Sequence, residues 1–442
     1  MSALSAVAWP APDYVTAAAA VRGLFEFLGL DAPNPLGRWI EPGMTVVIKP
    51  NWVKHEFGGT QGCDALFTHP SLVRALIDAA LAAAGPQGRV VVADAPLQGC
   101  DFARLRRQAG IAEMERDYAS ARVEFLDLRQ QWAEIDDASS FVRAVHPLPG
   151  DPGGYSLVDL GTRSRLVGLG VSARFGVTDY SGRNTNGHHR RAHRYLVSNT
   201  VLEADVILNA PKLKTHMKTG MTGALKNFVG IIGSKDFLPH FRAGSPRSGG
   251  DEYPDGNWLS GAASPVRGFL QRRAPLWLWK LARASARGAS SPVVAGGAWS
   301  GNDTLWRTVH DLADIARNYG PGGARREHPR TILTLVDAII AGEGCGPLKP
   351  SPKSCGLLIW GEDPGMADIA GATLMGFDWR QIPLLSHLCD AEARAFSGFS
   401  GELDLRAPTA DLLEFIHTGA GRFAPPSGWA GEQVLIARSF QR

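Results

Sequence analysis

The chain has 442 residues, 44% hydrophobic and 20% charged, a composition that suits a folded globular protein and excludes extended disorder. Its 46 basic and 43 acidic side chains leave a net charge of +3, too little for a general nucleic-acid-binding field, so no nucleic-acid partner is expected. Five cysteines without a C-x-x-C pair argue against a disulfide framework or a zinc knuckle. Together with the lack of a leader pattern at Met1 to Pro10, they lead to an expected cytoplasmic location.

Short β-branched runs recur along the chain, each followed by Pro, Gly or a helical pattern: Thr45 to Ile48, Val90 to Ala93, Asp205 to Leu208, Thr331 to Val336 and Gly356 to Trp360. Near-continuous apolar runs of this length suit strands buried on both faces. The fold expected is therefore α/β, a mainly parallel sheet with flanking helices and a long middle insertion. Between the first two runs, Pro70 to Ala84 reads as a helix, with Leu72, Leu76, Ile77 and Leu81 on one face and Gly85 just past its end. Residues 1–160 read as an N-terminal α/β part, 161–260 as a central motif region completing the site, 261–300 as an insertion and 301–442 as a C-terminal α/β part on the same core. Within the insertion, Phe269 to Arg283 mixes Trp277 and Trp279 with several cations. This pattern suits an amphipathic helix that packs on its own domain, on a second subunit of a homo-oligomer, or on an anionic membrane surface as a peripheral contact.

In open parallel sheets ligands gather outside the carboxyl ends of the strands. Lys49, Asn51, Asp94, Asn209, Lys212 and Asp337 each follow an apolar run and are expected around one cleft, with helix capping as the competing role for either aspartate. The densest chemistry lies between Asn209 and Asn227. If the chain stays extended after Pro211, Lys212, Lys214 and His216 point the same way. Gly220 and Gly223 then permit entry into a helix whose first-turn N–H groups would receive an anion, with Thr222 and Lys226 one turn apart on one face.

Two flanking segments add candidates. His189 and His193 would share a face if helical, although Arg190, Arg191 and Arg194 favour a phosphate or solvent over a metal there, and His193 joins the site list. Farther on, Lys235 and Arg242 are candidate anion donors and His240 a candidate acid or base. His240 with Asp251 and Glu252 could instead hold a divalent cation, although their spacing fits no standard ligand set. Gly168 to Ala173 fits the dinucleotide fingerprint only superficially, because no helical pattern follows, and no P-loop sequence occurs.

Ala204-Asp-Val-Ile-Leu-Asn-Ala-Pro-Lys-Leu-Lys-Thr-His216, continued by Thr222-Gly-Ala-Leu-Lys-Asn-Phe-Val-Gly230, resembles the signature of the domain of unknown function 362 family. Ile48 to Trp52, Thr68 to Pro70, Lys235 to His240, Gly249 to Pro254, Trp299 to Thr304 and Asp368 to Asp378 extend the resemblance to most of the chain. The resemblance implies no assigned activity. Some members carry a ferredoxin-type cysteine segment that this sequence lacks, so an iron–sulfur cluster is not expected and the cofactor stays open. A looser similarity of architecture to the lactate racemase family, where Lys and His flank a substrate carbon, is also present.

These readings converge on an enzyme of small-molecule metabolism acting on a small anionic molecule, a carboxylate or phosphate. His216, His240, Lys214 and Asp94 are the expected catalytic groups. Lys49, Asn51, His193, Asn209, Lys212, Thr222, Lys226, Asn227, Lys235 and Arg242 are the expected substrate-binding groups. The chemistry would be proton transfer of the isomerase kind or redox. The alternatives are a non-catalytic anion-binding or carrier protein and a redox enzyme with an external electron donor.

Overall fold

The computed structural model describes residues 5–30, 33–55, 64–135, 142–169, 175–177, 187–189, 191–256, 296–419 and 421–429. The amphipathic segment 269–283 lies outside the described residues, and so does most of the Gly168 to Ala173 pattern.

A ten-stranded sheet organises these residues. Its strands are β1 (Ala6–Pro10), β2 (Thr45–Pro50), β3 (Arg89–Asp94), β4 (Val123–Asp127), β5 (Val206–Ala210), β6 (Lys212–His216), β7 (Gly220–Thr222), β8 (Thr331–Glu343), β9 (Ser351–Gly361) and β10 (Leu405–Arg406). Across the sheet the order is β10-β1-β9-β8-β5-β2-β3-β4, with β6 pairing β8 and β7 pairing β6. Strands β8, β5, β2, β3 and β4 are mutually parallel, as are β8 and β6.

The apolar runs are continuous because alternate residues feed two cores. Val46, Ile48, Val90, Val92, Leu208 and Leu333 face helices α1 (Ala17–Phe27) and α2 (Pro70–Ala84). Val47, Val91 and Ile207 face the opposite core, where α4 (Leu305–Asn318) and α5 (Pro364–Leu374) pack. Helix α2 runs over the span its sequence predicts. His69 Nδ1 accepts the Ser71 N–H at its start, Pro70 occupies the first turn, and Gly85 ends it at a φ of 65°.

Two expectations need correction. The run Gly356 to Trp360 belongs to a strand antiparallel to its neighbours β1 and β8. Residues 344–350 make too short a link for the crossover that a parallel strand needs. Nor does the segment after Pro211 enter a long helix: β6 and β7 form a hairpin, and the helix that follows, α3 (Ala224–Asn227), is a single turn. Thr222 therefore sits on a strand opposite Lys214, not one helical turn from Lys226.

The parallel strands run in chain order outward from β2 through β3 to β4 on one side, and from β5 to β8 on the other. The switch point thus falls between β2 and β5, whose carboxyl ends pair Lys49 with Asn209 and Pro50 with Ala210. A crevice at that place is where open sheets of this kind admit ligands.

Candidate functional site

Beside the switch point, Lys49 is completely enclosed. Its Nζ contacts Asp94 Oδ1 at 2.7 Å, donates to the Pro50 carbonyl at 2.8 Å and to Asn227 Oδ1 at 3.3 Å. All three ammonium protons are committed within the protein. Asn227 Nδ2 in turn donates to the Lys49 carbonyl and to Asn209 Oδ1, each at 2.8 Å, while Asn209 Nδ2 donates to the Ala224 carbonyl at 3.0 Å. Asp94 Oδ2 accepts the Trp52 N–H at 2.8 Å. This satisfied network ties α3 to the ends of β2 and β5. It makes Lys49, Asp94, Asn209 and Asn227 positioning groups, and Asp94 is held as an ion-pair partner instead of presenting a catalytic carboxylate.

A second buried pair lies one strand over. Lys212 Nζ contacts Asp337 Oδ2 at 2.6 Å and donates to Tyr14 Oη at 2.7 Å and the Ile340 carbonyl at 3.0 Å, which again uses every donor. Asp337 also accepts from the Tyr14 hydroxyl and the His69 N–H, both at 3.0 Å, and the His69 ring stacks on Tyr14. Lys212 therefore has no donor left over in this arrangement. Thr68 bridges the two halves, accepting the Asn51 N–H at 3.0 Å and donating to the Ala210 carbonyl at 2.6 Å.

Lys214 differs from both. It is fully buried, yet among the described residues its Nζ donates only to the Leu66 carbonyl and has no carboxylate partner. Burial, reinforced by the charges of Lys226 and Lys212, pushes its proton affinity well below that of an ordinary lysine. Burial likewise holds His216 and His240 well below the usual imidazole range. Lys226 and Lys218 add to both shifts, Lys214 and His240 to that of His216, and Lys235 to that of His240. Lys214, His216, Lys218 and Lys226 thus act on one another mainly as like charges, with Asp94 opposing the shift at Lys214. Opposite Lys214 in the hairpin, Thr222 keeps a buried Oγ1 with no hydrogen-bond partner in the protein, as does Asn51 Oδ1 at the end of β2.

The ring nitrogens of the two histidines are differentiated by their partners. His240 Nδ1 lies 2.9 Å from the Leu238 carbonyl and must carry its proton there, which leaves Nε2 as a bare acceptor. His216 Nδ1 accepts the Lys218 N–H at 3.1 Å, which leaves the proton of the neutral ring on Nε2. One imidazole thus presents a lone pair and the other an N–H donor.

The remaining candidates fall elsewhere. The N–H groups of Ala224 and Leu225, expected to receive a ligand anion, are taken by the carboxylate of Asp368 from α5 at 2.5 and 2.9 Å. Arg242 is drawn off to Asp251 and Asp303 at 3.5 and 3.4 Å, and Asp251 itself accepts the Thr304 hydroxyl at 2.6 Å and the Asp303 N–H at 2.9 Å. Asp251 is thereby a structural clamp, not a ligand for a cation beside His240. Among the described residues, no group of three or more His, Cys, Asp or Glu side chains gathers as a metal set. His189 and His193 occupy antiparallel strands instead of a helix, and His193 interacts with Asp159 and His189. Lys235 stays near the site as a buried donor to the Ala95 carbonyl at 3.0 Å. Tyr14, Lys218 and Asp368 were not singled out by sequence. Lys218 lies inside the motif, but nothing local marks Tyr14.

Lys212 and Lys214, both fully buried, should answer substitution differently. Lys212→Met leaves Asp337 enclosed without its cation and is expected to cost about 3 kcal/mol or more in urea unfolding. Lys214→Met removes an uncompensated charge while keeping the stem, so stability should hold within about 1 kcal/mol or rise. A large loss from Lys214→Met would show an unseen structural partner.

Gly230 is required by close approach, since a Cβ there would lie 1.8 Å from Asp94 Oδ1 and 2.6 Å from Lys49 Nζ. Gly230→Ala should therefore break or displace the pair, lowering unfolding free energy by about 3 kcal/mol in calorimetry.

The buried histidine gives a pH test. His240 stays neutral in the fold while the unfolded chain takes up a proton below about pH 6.5, so native stability falls as pH drops through that value. Compared with His240→Gln, the wild type should lose up to about 1.4 kcal/mol more per pH unit below 6.5. Parallel stability curves for the two proteins would contradict the assignment.

The chain belongs to the family described as domain of unknown function (DUF362), whose model matches residues 46–147 and 158–373. No curated protein matches it. Among solved structures, a Thermotoga maritima protein from a structural genomics consortium is similar at 12% identity and a TM-score of 0.33. The match covers 80% of this chain and 56% of that one.

Proposed function

We propose that the protein is an enzyme of small-molecule metabolism that takes a small carboxylate or phosphate at the Lys214, His216 and His240 end of the sheet. Lys214 carries the reading: a fully buried amine whose cation has no carboxylate beside it among the described residues, on an edge where Lys49 and Lys212 each have one. Burying an unpaired charge costs several kcal/mol, and an anionic ligand is the partner that offsets it. Lys226 adds positive potential and Thr222 a buried hydroxyl for the same anion.

The reaction class that suits the two histidines is proton transfer. His240 Nε2 has the free lone pair to accept a proton from carbon or oxygen and to return it once protonated, and the His216 Nε2–H can donate a hydrogen bond to an oxygen that gains charge. Their depressed proton affinities keep this arrangement at neutral pH, where both rings stay uncharged.

Calorimetric titration with inorganic phosphate and small mono- and dicarboxylates checks the binding. A saturable increase in unfolding free energy is expected, about 2.7 kcal/mol at a hundredfold excess over Kd, weaker at high salt and absent from Lys214→Met. Equal stabilisation of both proteins, or none of either, would remove the reading. Loss of the α-proton signal of 2-hydroxy or 2-oxo acids in deuterated water, abolished by His240→Gln, would separate an enzyme from a carrier.

A further inference from the structure

We propose that Lys214 is a covalent nucleophile that forms an imine with a carbonyl compound bearing a carboxylate or phosphate group. This rests on the anion-site reading above and names the substrate class within it.

The geometry separates Lys214 from a mere electrostatic anchor. Lys49 and Lys212, on the same edge, each have all three donors engaged, one of them by a carboxylate that holds the ammonium form. Lys214 Nζ has one main-chain acceptor, Leu66 O, which leaves its other positions uncommitted within the protein. An amine in that setting loses little when it gives up its proton, because no anion is left behind. Burial and the neighbouring lysine charges favour the same neutral form, in which the lone pair is the nucleophile. The cross-strand neighbour, Thr222, carries a deeply buried hydroxyl with no protein partner, at the position from which a donor could meet an oxygen on the attacked carbon. His240 supplies the base and the His216 Nε2–H a hydrogen-bond donor, while Lys226 supplies charge for the substrate's anionic group.

The step balances without an oxidant or reductant. The Nζ lone pair forms a C–N bond to the carbonyl carbon, and the C=O π pair moves to oxygen, which accepts a hydrogen bond from the His216 Nε2–H. Nitrogen releases a proton to His240 Nε2, which passes it to that oxygen to complete the carbinolamine. The carbinolamine hydroxyl then takes up one proton from solvent and leaves as water, so that amine, carbonyl and one proton become a protonated imine and one water. The resulting cation acidifies the adjacent C–H bond, which extends the proton transfer assigned above.

Pyridoxal 5′-phosphate, an aldehyde with a phosphate, is the probe. The whole chain is incubated with it near neutral pH, reduced with borohydride and mapped by peptide mass spectrometry. Lys214 is expected to be labelled about tenfold faster than any other lysine, since each unit of lowered pKa raises the neutral fraction tenfold. Inorganic phosphate should protect it. Lys214→Arg keeps a cation but cannot form an imine; it should lose the label and still bind phosphate in calorimetry. If the wild type binds phosphate but Lys214 reacts no faster than other lysines, the imine proposal falls and the anion site stands. If Lys214 is labelled equally by unphosphorylated pyridoxal and phosphate neither binds nor protects, the anion reading falls while the reactive amine remains.

Discussion

The structure depends on how positive charge is buried at the carboxyl edge of the sheet. Two of the ammonium groups there are neutralised in place, Lys49 by Asp94 and Lys212 by Asp337, and each pair also stitches the ends of strands and loops together. Such pairs are weak sources of stability, because desolvation consumes most of the attraction. Their effect is geometric. Removing one member strands the other, so the pairs fix β2 against β3 and the start of β6 against β8.

That rigidity gives the neighbouring groups their meaning. The β6–β7 hairpin stands on the fixed edge and aims Lys214 and His216 along one side, with Thr222 across from Lys214. The one-turn helix α3 is pinned twice, by Asn227 to Lys49 and Asn209, and by Asp368 to its first N–H groups. Gly223 permits the second contact, since a Cβ there would lie 1.9 Å from Asp368 Oδ1. The helix's positive end, which attracts anions generally, is thus already satisfied by an internal one. Whatever anion the site receives must be met by side chains.

Much of this was legible in the sequence, and the reasons are specific. Apolar runs ending in Lys49, Asp94, Asn209 and Asp337 announce strands buried on both faces, and the rule that such strands deliver their next residues to one edge located the cluster. Helix α2 was readable from its Pro70, its periodicity and its Gly85. The pairing of those edge residues was not readable. Lys49 and Asp94 are 45 positions apart and Lys212 and Asp337 are 125, and sequence alone does not say which cation meets which anion. The antiparallel course of β9 depended on a short link, and Tyr14 entered the Lys212 network from a loop without local pattern.

The same argument explains why alternate spacing overstated the unity of Lys212, Lys214 and His216. Register along β6 shifts between Lys212 and Lys214 where the strand meets β8, so the first lysine turns to Asp337 and the second to Leu66. A chain that needed only stability here would place a carboxylate beside Lys214 or an apolar side chain instead of it. Keeping a lone amine in the interior, beside two histidines of opposite hydrogen-bonding character, costs stability that neighbouring packing must offset. Residues that break a local rule in this way concentrate at functional sites. The unpaired lysine is thus more informative than the paired ones, although by residue type and spacing the three could not be told apart.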